Sequence, residues 1–426
     1  MKMQYYSASG YEKLRRMGLK LPAERMVRRW VAETEVNVGF CEHVFAALKQ
    51  AMLDIPPEER CCALKWDEMS LMEREEYDVK TDVIEGFEDL GPLGRTERRA
   101  NHAFVFCLNG LHAGNQWRTM LAYFLPCNNV SGSDIVRLVR QCIGKISEAG
   151  ADLKMTVCDQ GTSNGKAYSE LGVSEDRPHF FHEGKKIIAL FDFPHAVKNV
   201  LGLFRKWGKI SAADKVVAYS DFTNTFRSDL GCATSNLLGH ITEAHMWPNA
   251  FERMNVSRAF QVFSKRFASA MELARHSRAV RSETIPEIAR FCRSMDKIID
   301  ACNSSSIFNE NPAKRPLSEE NPQVEQILVE FLSWAPDMKV CAKGRWKRPA
   351  SFAGMVQTVR GILMLYRQLR EQFPGFKLCT ALCNQDSVEQ LFSRFRGRGG
   401  SNPNPTCRMY LKNISERFQQ FAFYNP

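Results

Sequence analysis

Short apolar runs dominate the chain between residues 61 and 191. Five of them are rich in aliphatic and aromatic residues, as buried strands are: CCALKW (61–66), HAFVFCL (102–108), RTMLAYFL (118–125), LKMTVC (153–158) and KIIALF (186–191). Between the third and fourth runs, apolar residues from Ile135 to Ile146 recur at helical spacing. The pattern therefore predicts three strands, a helix and two further strands.

Three antiparallel strands followed by a helix and a parallel strand is the order of a ribonuclease-H-like domain. Asp67 directly follows the first apolar run, and Asp159 directly follows the fourth. We expect each aspartate to end its strand. Because the first strand and the strand after the helix lie side by side in this architecture, we also expect the two aspartates to be neighbours.

The pattern becomes helical between residues 205 and 370. ERMNVSRAFQVFSKRFASAMELA (252–274) predicts one helix and EIARFCRSMDKIIDACNS (287–304) another, whereas KVCAKGRWKRP (339–349) is interpreted as a basic loop. That loop could touch nucleic acid or be a solvated turn. The whole region predicts a mostly helical insertion into an α/β core.

The apolar periodicity of the last part of the chain predicts a helix that carries Glu389. Four arginines follow this glutamate with no acidic residue among them, namely Arg394, Arg396, Arg398 and Arg408. Four segments result: a basic helix-turn-helix-like segment over 1–36, the first part of the core over 37–204, the insertion over 205–370, and the remaining core over 371–426.

The charge balance favours a polyanionic partner but does not require one. The 426 residues carry a formal net charge of +10, with a pI of about 8.9. Residues 11–31 hold seven Lys and Arg against two Glu, which suits either a DNA-binding helix-turn-helix or a solvated helix pair. A merely basic globular protein would have the same totals.

Cysteine usage and hydropathy bear on the compartment. The 14 cysteines occur mostly singly and lack the paired C-x2-C spacing of a structural zinc site. Scattered cysteines are typical of a reducing compartment. No apolar run has the length of a membrane span or a secretion signal. We expect a nuclear or cytosolic protein with no membrane partner.

Asp67, Asp159 and Glu389 form the candidate catalytic set. Two strand-end aspartates and a distant helical glutamate suit a two-metal nuclease, in which shared carboxylates hold Mg²⁺ or Mn²⁺ beside a phosphodiester. Each residue also has an ordinary explanation when taken alone. The aspartates could be turn residues, and the glutamate could stabilise a helix N-terminus.

At these residues the chain resembles the P element transposase family, which includes vertebrate relatives with a THAP zinc finger. The motifs DEM, CDQGTSN, FDFPHAVKNV and NQDSVEQLFSRFRGRGGSNPNPT occur in the family's order, and YEKLRRMGLKLP…RRW resembles the helix-turn-helix before its catalytic core. The resemblance implies a ribonuclease-H-like core interrupted by a GTP-binding insertion. It also implies magnesium-dependent cutting and joining of transposon ends and target DNA, in a homo-oligomer located in the nucleus.

The resemblance assigns further roles to individual residues. Asp67, Asp159 and Glu389 match the metal-binding triad. The nucleotide contacts correspond to five residues: Asp192, Lys198, Asp300, Asn303 and Asp386. No G-x4-G-K-[ST] phosphate loop is present, so a GTP site would be unconventional.

One departure from the family leaves alternatives open. The sequence lacks the family's amino-terminal C2CH zinc finger and its coiled-coil stretch, so we expect either a truncated copy or reliance on another protein for target choice. The first alternative function is a domesticated, non-catalytic protein that binds DNA or another protein. The second is a guanine-nucleotide-binding regulator.

Overall fold

The computed structural model describes residues 8–23, 25–26, 37–79, 82–232, 237–398 and 404–411. The chain forms two compact units, one of residues 1–154 with 385–426 and one of residues 155–384. Within the basic segment over 1–36, helix α1 spans Ala8–Arg16, and Tyr11 Oη donates to the Pro22 carbonyl at 2.8 Å. The predicted second helix falls largely on residues 24 and 27–36, which lie outside the described residues.

The first unit is built on an antiparallel sheet. Four strands follow one another across it, namely β2 (Cys61–Ser70), β7 (His102–Gly110), β8 (Arg118–Phe124) and β1 (Gly39–Phe40), and every neighbouring pair is antiparallel. The elements of this unit up to residue 148 are β1 (Gly39–Phe40), α2 (Glu42–Asp54), β2 (Cys61–Ser70), β3 (Glu76–Asp78), β4 (Val83–Glu85), β5 (Phe87–Asp89), β6 (Arg95–Arg99), β7 (His102–Gly110), β8 (Arg118–Phe124) and α3 (Gly132–Glu148). The predicted three-strand meander and the helix after it are therefore confirmed.

Aromatic packing holds this sheet's apolar face. Phe106 lies at the centre, with its ring centroid 5.2 Å from that of Phe104, 5.7 Å from that of Phe124 and 6.0 Å from that of Trp66. All four side chains are almost fully buried. Edge-to-face aromatic pairs at such distances add stabilisation beyond the burial of their area.

The second unit combines strands with most of the helices. Its elements are β9 (Asp152–Cys158, whose first three residues belong to the first unit), α4 (Thr162–Glu170), β10 (His179–His182), β11 (Lys185–Phe191), α5 (Phe193–Trp207), β12 (Lys209–Ala212), β13 (Lys215–Ala218), α6 (Ser220–Leu230), α7 (Glu243–Met246), α8 (Val256–Val262), α9 (Lys265–His276), α10 (Ile285–Ala301), α11 (Pro322–Trp334), β14 (Lys339–Ala342), β15 (Arg345–Lys347) and α12 (Ala350–Gln372). β11 pairs in parallel with β9 and antiparallel with β10.

The insertion is mostly helical, as predicted, but two details differ from the sequence interpretation. Residues 339–347 form a β-hairpin that joins β12 and β13 in a four-stranded sheet, so the prediction of a loop is wrong. The single helix predicted over 252–274 is divided into α8 and α9. The division occurs because the Ser264 hydroxyl accepts a hydrogen bond from the Phe267 amide (3.2 Å) and so starts a new helix.

After the second unit, the chain returns to the first with helix α13 (Asp386–Arg398). Val388, Leu391, Phe392 and Phe395 are buried on one face of it, as their spacing predicts. Among the described residues, no helix has the length and apolar content that a bilayer crossing requires.

Candidate active site and nucleotide-binding residues

Asp67 lies inside a strand of the first unit. β2 runs three residues beyond it, and its pairing with β7 continues from Asp67 opposite Val105 to Ser70 opposite His102. The expectation that Asp67 ends its strand is therefore wrong, because β7 is long enough to pair with the polar residues after the apolar run. The side chain is half-buried, and its Oδ1 accepts a hydrogen bond from the Glu68 amide at 2.8 Å.

Glu389 lies in the first turn of α13, in the same unit, with an exposed side chain. Its amide donates to the carbonyl of Gln385 at 3.1 Å. The side chain of Gln385 is buried, and its Nε2 donates to the carbonyl of Trp66 at 2.6 Å. One residue thus connects the start of the glutamate's helix to the strand position directly before Asp67.

A second hydrogen bond holds the exposed side of α13. Arg118 Nη1, on β8, donates to Oε1 of Gln390 at 3.0 Å. Helix α13 is therefore fastened to two strands of the first unit's sheet. Sequence reasoning missed Gln385, although the quoted NQDSVEQ motif contained it, because its role depends on a contact with a strand more than 300 residues away.

Asp159 belongs to the second unit and directly follows β9, as predicted. Its Oδ1 accepts hydrogen bonds from the Gly161 amide at 2.9 Å and from Asn164 Nδ2 at 2.6 Å. Both bonds fall on one oxygen, so the carboxylate is oriented while Oδ2 is left for another ligand. A methyl group on Gly161 would lie 2.9 Å from Oδ1, so only glycine fits here without moving the carboxylate.

The donor set of these three residues suits a hard cation. Carboxylate oxygens are the ligands that Mg²⁺ and Mn²⁺ prefer, and Asp159 offers an oriented one. Within the described parts of the chain, no three His, Cys, Asp or Glu side chains are grouped closely enough to hold a metal ion. The joint assignment of Asp67, Asp159 and Glu389 remains a prediction.

Two candidate nucleotide residues belong to α5 in the second unit: Asp192 directly precedes the helix, and Lys198 lies in its second turn. Asp192 is 2% exposed and caps the helix, since its Oδ2 accepts from the His195 amide at 2.9 Å. The same oxygen lies 2.7 Å from His195 Nδ1. Through these contacts, Asp192 positions the start of α5 and the ring of His195. Lys198 follows on the same helix with a half-buried side chain.

Asp300 and Asn303 lie together at the end of α10, in the second unit. The Asn303 amide donates to the Asp300 carbonyl at 3.2 Å. The Asp300 carboxylate accepts from Asn311 Nδ2 at 2.8 Å and lies 3.3 Å from Lys314 Nζ. Burial, followed by the nearby charge of Asp300, raises the pKa of Asp296 one turn earlier. The structure therefore groups Asp300 and Asn303, with the carboxylate held by the loop after the helix.

Asp386, the last candidate nucleotide residue, begins α13 in the first unit and is exposed. It follows Gln385 directly, so the contact between Gln385 and Trp66 also fixes the backbone from which Asp386 projects. The residue is acidic in the first turn of its helix, where a negative charge is favourable.

Three family models match successive parts of the chain. The TNP-like RNase H N-terminal domain matches residues 36–172, the TNP-like GTP-binding insertion domain matches residues 194–316, and the TNP-like RNase H C-terminal domain matches residues 383–412. Their order agrees with a ribonuclease-H-like core interrupted by an insertion.

Two similar proteins extend the comparison over almost the whole chain. Transposable element P transposase from Drosophila melanogaster is 26% identical over 403 residues, which cover 93% of this chain and 50% of that protein. DNA transposase THAP9 from Homo sapiens is 21% identical over 441 residues, which cover 97% of this chain and 47% of that protein. The chain thus spans about half the length of these relatives.

A solved structure shares the fold. The Drosophila P element transposase strand transfer complex aligns with a TM-score of 0.80 and 22% identity, covering 98% of this chain and 89% of that one. The architecture is therefore ribonuclease-H-like, with a GTP-binding-type insertion domain between the parts of the core. Together with the ordered family models, the fold leads to one conclusion: the chain belongs to the P element transposase family.

Proposed function

We propose that this chain is the core of a DNA transposase that cleaves DNA strands and joins them to a target. The observation that carries the proposal is the hydrogen bond from Gln385 to the Trp66 carbonyl. It fastens the helix of Glu389 to the strand of Asp67 within the first unit of a ribonuclease-H-like fold. Two acidic residues far apart in sequence are thereby fastened to one part of the unit.

Asp67, Asp159 and Glu389 would hold the divalent ions. Bound there, Mg²⁺ or Mn²⁺ would supply charge for the attacking and leaving oxygens of a phosphodiester. The chain's own contribution is orientation. Gly161 and Asn164 direct the Asp159 carboxylate, and Gln385 positions the turn that bears Glu389. The arginines that follow Glu389 would contact the DNA backbone.

The triad is tested by amide variants that keep the shape of each side chain. Asp67→Asn, Asp159→Asn and Glu389→Gln should each lower cleavage and strand transfer by about 100-fold or more, because neutral amides bind metal ions weakly. The substrate is a DNA duplex that carries a P element end, with Mg²⁺ or Mn²⁺. Unfolding curves check that each variant is folded.

Asp54→Asn and Glu330→Gln are the matched controls, since both residues are exposed and make no ion pair among the described residues. They should retain parental activity. If any triad variant stays within tenfold of the parent, the assigned carboxylate is not a metal ligand. If the parent binds DNA but never cleaves it, the domesticated, non-catalytic alternative is favoured.

We also propose that the insertion binds GTP in preference to ATP. The carboxylate of Asp300 would accept hydrogen bonds from the guanine ring N–H and amino group, which adenine cannot offer in the same pattern. Asp192, Lys198, Asn303 and Asp386 would complete the site. The support is the match to a GTP-binding insertion domain over residues 194–316, within which Asp300 and Asn303 lie one helical turn apart at the end of α10.

The nucleotide proposal is tested by calorimetry with both nucleotides. Asp300→Ala should remove the preference for GTP. Glu310→Ala is the control, because this exposed carboxylate lies in the loop after the same helix and makes no ion pair among the described residues. It should leave the preference unchanged. Equal affinity of the parent for GTP and ATP would contradict the proposal.

The partners and location follow from this function. We infer that transposon ends and target DNA are the substrates, that the chain acts as a homo-oligomer, and that it works in the nucleus. Sedimentation of the purified chain with and without DNA tests the assembly, and a fluorescent fusion tests the location. A monomer on DNA, or exclusion from the nucleus, would contradict the corresponding inference.

A further inference from the structure

The four-stranded sheet of the second unit has one buried face and one solvent face. β12 pairs with β13 and β14, and β14 pairs with β15. Ile210, Ala212, Val217, Val340 and Ala342 are buried on one side. Because side chains alternate along each strand, the other side carries Lys209, Ser211, Val216, Lys339, Cys341 and Trp346. We call this second side the basic sheet face.

Both hairpins of this sheet close through tight turns. Ala213 and Asp214 have φ of 49° and 58°, and Lys343 and Gly344 have φ of 50° and 74°. Two consecutive residues with positive φ are typical of two-residue type I′ hairpin turns, whose twist matches that of the strands. The turns therefore give the sheet a defined shape, and they place Lys343 at its edge.

Six cations lie on this small sheet: Lys209, Lys215, Lys339, Lys343, Arg345 and Lys347. All six are exposed, and none forms an ion pair with another described residue. Asp214 is the single acidic residue on the same two hairpins. Of these cations, Lys209 and Lys339 lie on the basic sheet face and Lys343 lies in its second turn. Lys215, Arg345 and Lys347 stand opposite Ala212, Ala342 and Val340 and therefore lie on the other side.

Some basic side chains of the second unit are paired with acids. Arg293 pairs with Glu272, Arg367 with Glu325 and Arg348, directly after β15, with Glu175. The cations Lys209, Lys339 and Lys343 have no such acidic partner among the described residues. A surface of this kind attracts polyanions.

Trp346 adds a second, independent feature. It lies on the basic sheet face opposite Cys341 and remains 43% exposed. Tryptophan is normally buried for most of its area, so an exposed one needs a reason. An aromatic ring among unpaired cations is the arrangement on which unpaired bases stack while the cations follow the phosphates. An acidic peptide would satisfy the charges but would offer no flat ring to the tryptophan.

We propose that the basic sheet face binds an unpaired polynucleotide strand. Lys209 and Lys339 contact phosphates, Lys343 adds positive charge at the turn of the second hairpin, and a base stacks on Trp346. Four strands about 4.8 Å apart make a face roughly 14 Å wide, enough for a few nucleotides. The exposed ring and the cations indicate a single-stranded ligand, and its identification as DNA rests on the proposed function. The basic sheet face contains none of the triad residues and none of the candidate nucleotide residues.

The test is equilibrium binding of the full chain to a fluorescent oligonucleotide of about 20 nucleotides, longer than a typical single-strand site. Single-stranded DNA, single-stranded RNA and duplex DNA of the same sequence are compared. Trp346→Ala should weaken single-strand binding about 5- to 100-fold and duplex binding far less, because stacking needs an unpaired base. Trp346→Phe should restore most of the affinity.

A charge-matched pair of variants tests the cations. Lys209→Gln, Lys339→Gln and Lys343→Gln together should weaken single-strand binding. The slope of log affinity against log salt should also become shallower by about 0.7 for each phosphate that the protein no longer neutralises. The control combines Arg275→Gln, Arg281→Gln and Lys297→Gln. These residues are exposed elsewhere in the second unit, and the control changes the net charge by the same amount. The control should leave the single-strand affinity and its salt dependence near the parental values.

The outcomes separate this proposal from the proposed function. The proposal is overturned if variants of the basic sheet face bind single strands within twofold of the parental affinity. It is also overturned if polyglutamate displaces the oligonucleotide as effectively as unlabelled single-stranded DNA. If the chain cuts DNA but fails these tests, the proposed function stands and the single-strand site is rejected. If the chain never cuts DNA but passes them, the single-strand site stands and the proposed function is rejected. Stronger binding to RNA than to DNA would then identify RNA as the bound strand.

Discussion

At the scale of single residues, the orientation of one carboxylate is the most specific feature of the second unit. Oδ1 of Asp159 receives hydrogen bonds from the Gly161 amide and from Asn164 Nδ2. A carboxylate held through one oxygen presents the other in a fixed direction. The absence of a side chain on Gly161 is part of this arrangement, because a methyl group there would press on Oδ1.

We therefore predict that Gly161→Ala impairs DNA cleavage out of proportion to its effect on folding. The substitution loses a favourable helix N-cap, which costs about 1 kcal/mol or less, while the displaced carboxylate should lower cleavage at least about tenfold. Gly165→Ala is the control, since nothing lies within 4 Å of a methyl group there. In the interior of α4, it should raise stability by about 0.5–1 kcal/mol and leave cleavage unchanged. Parental cleavage by the Gly161 variant would show that the orientation is not needed.

At the scale of elements, apolar runs located the strands, but tertiary contacts set their ends. The run CCALKW correctly located the start of β2, but the strand continues through Asp67 to Ser70 because β7 pairs with it there. The hairpin of β14 and β15 was missed because its lysines and arginines resemble a loop. Only pairing with β12 makes a strand of such a sequence, and that partner lies more than 120 residues earlier.

The hairpin of β5 and β6 illustrates how one buried charge can make an element sensitive to pH. Glu88 is 3% exposed, and its carboxylate accepts hydrogen bonds from Thr96 Oγ1 at 2.7 Å, Arg98 Nε at 2.9 Å and the Cys127 amide at 3.0 Å. Burial raises the pKa of Glu88, but these hydrogen bonds and the charge of Arg98 outweigh it and hold the pKa below its ordinary value.

A lowered pKa in the folded state means that the ionised carboxylate stabilises the fold at pH values above the unfolded pKa, about 4.3. That stabilisation is lost as the pH falls through the folded pKa. Glu88→Gln should therefore lower the free energy of unfolding by about 1.5–3 kcal/mol at pH 7, and the difference from the parent should shrink below about pH 4. Urea unfolding at several pH values measures it.

The control for this experiment lies on the same hairpin. Glu97, on β6, is exposed and makes no ion pair among the residues that the structure describes. Glu97→Gln should change the unfolding free energy little at any pH. If the difference in unfolding free energy between Glu88→Gln and the parent stays constant from pH 7 to pH 3, the carboxylate contributes through its shape and not through its charge.

At the scale of the whole molecule, the order of motifs was more informative than any single motif. Asp67, Asp159 and Glu389 each have an ordinary explanation alone, and only their order within one fold pointed to a shared role. The interrupted ribonuclease-H-like architecture could be predicted in this way and is confirmed by the family models and the fold comparison. The contact of Gln385 with Trp66 could not be predicted from the sequence, because it joins residues 319 positions apart through a backbone carbonyl.

The net charge of +10 leads to the last prediction, which concerns DNA recognition by the whole chain. Base edges carry sequence information, whereas phosphate contacts mainly position the protein. The sequence is rich in basic stretches and has no C2CH zinc-finger pattern, so we expect duplex binding that is nearly independent of sequence. Its affinity should fall steeply with salt, by about 10³-fold or more between 50 and 200 mM if six or more phosphates are contacted. Deleting residues 1–36 should weaken binding to a P element end and to its scrambled sequence about equally. A strong preference for one of these duplexes at physiological salt, abolished by the deletion, would instead show that the basic amino-terminal segment reads bases.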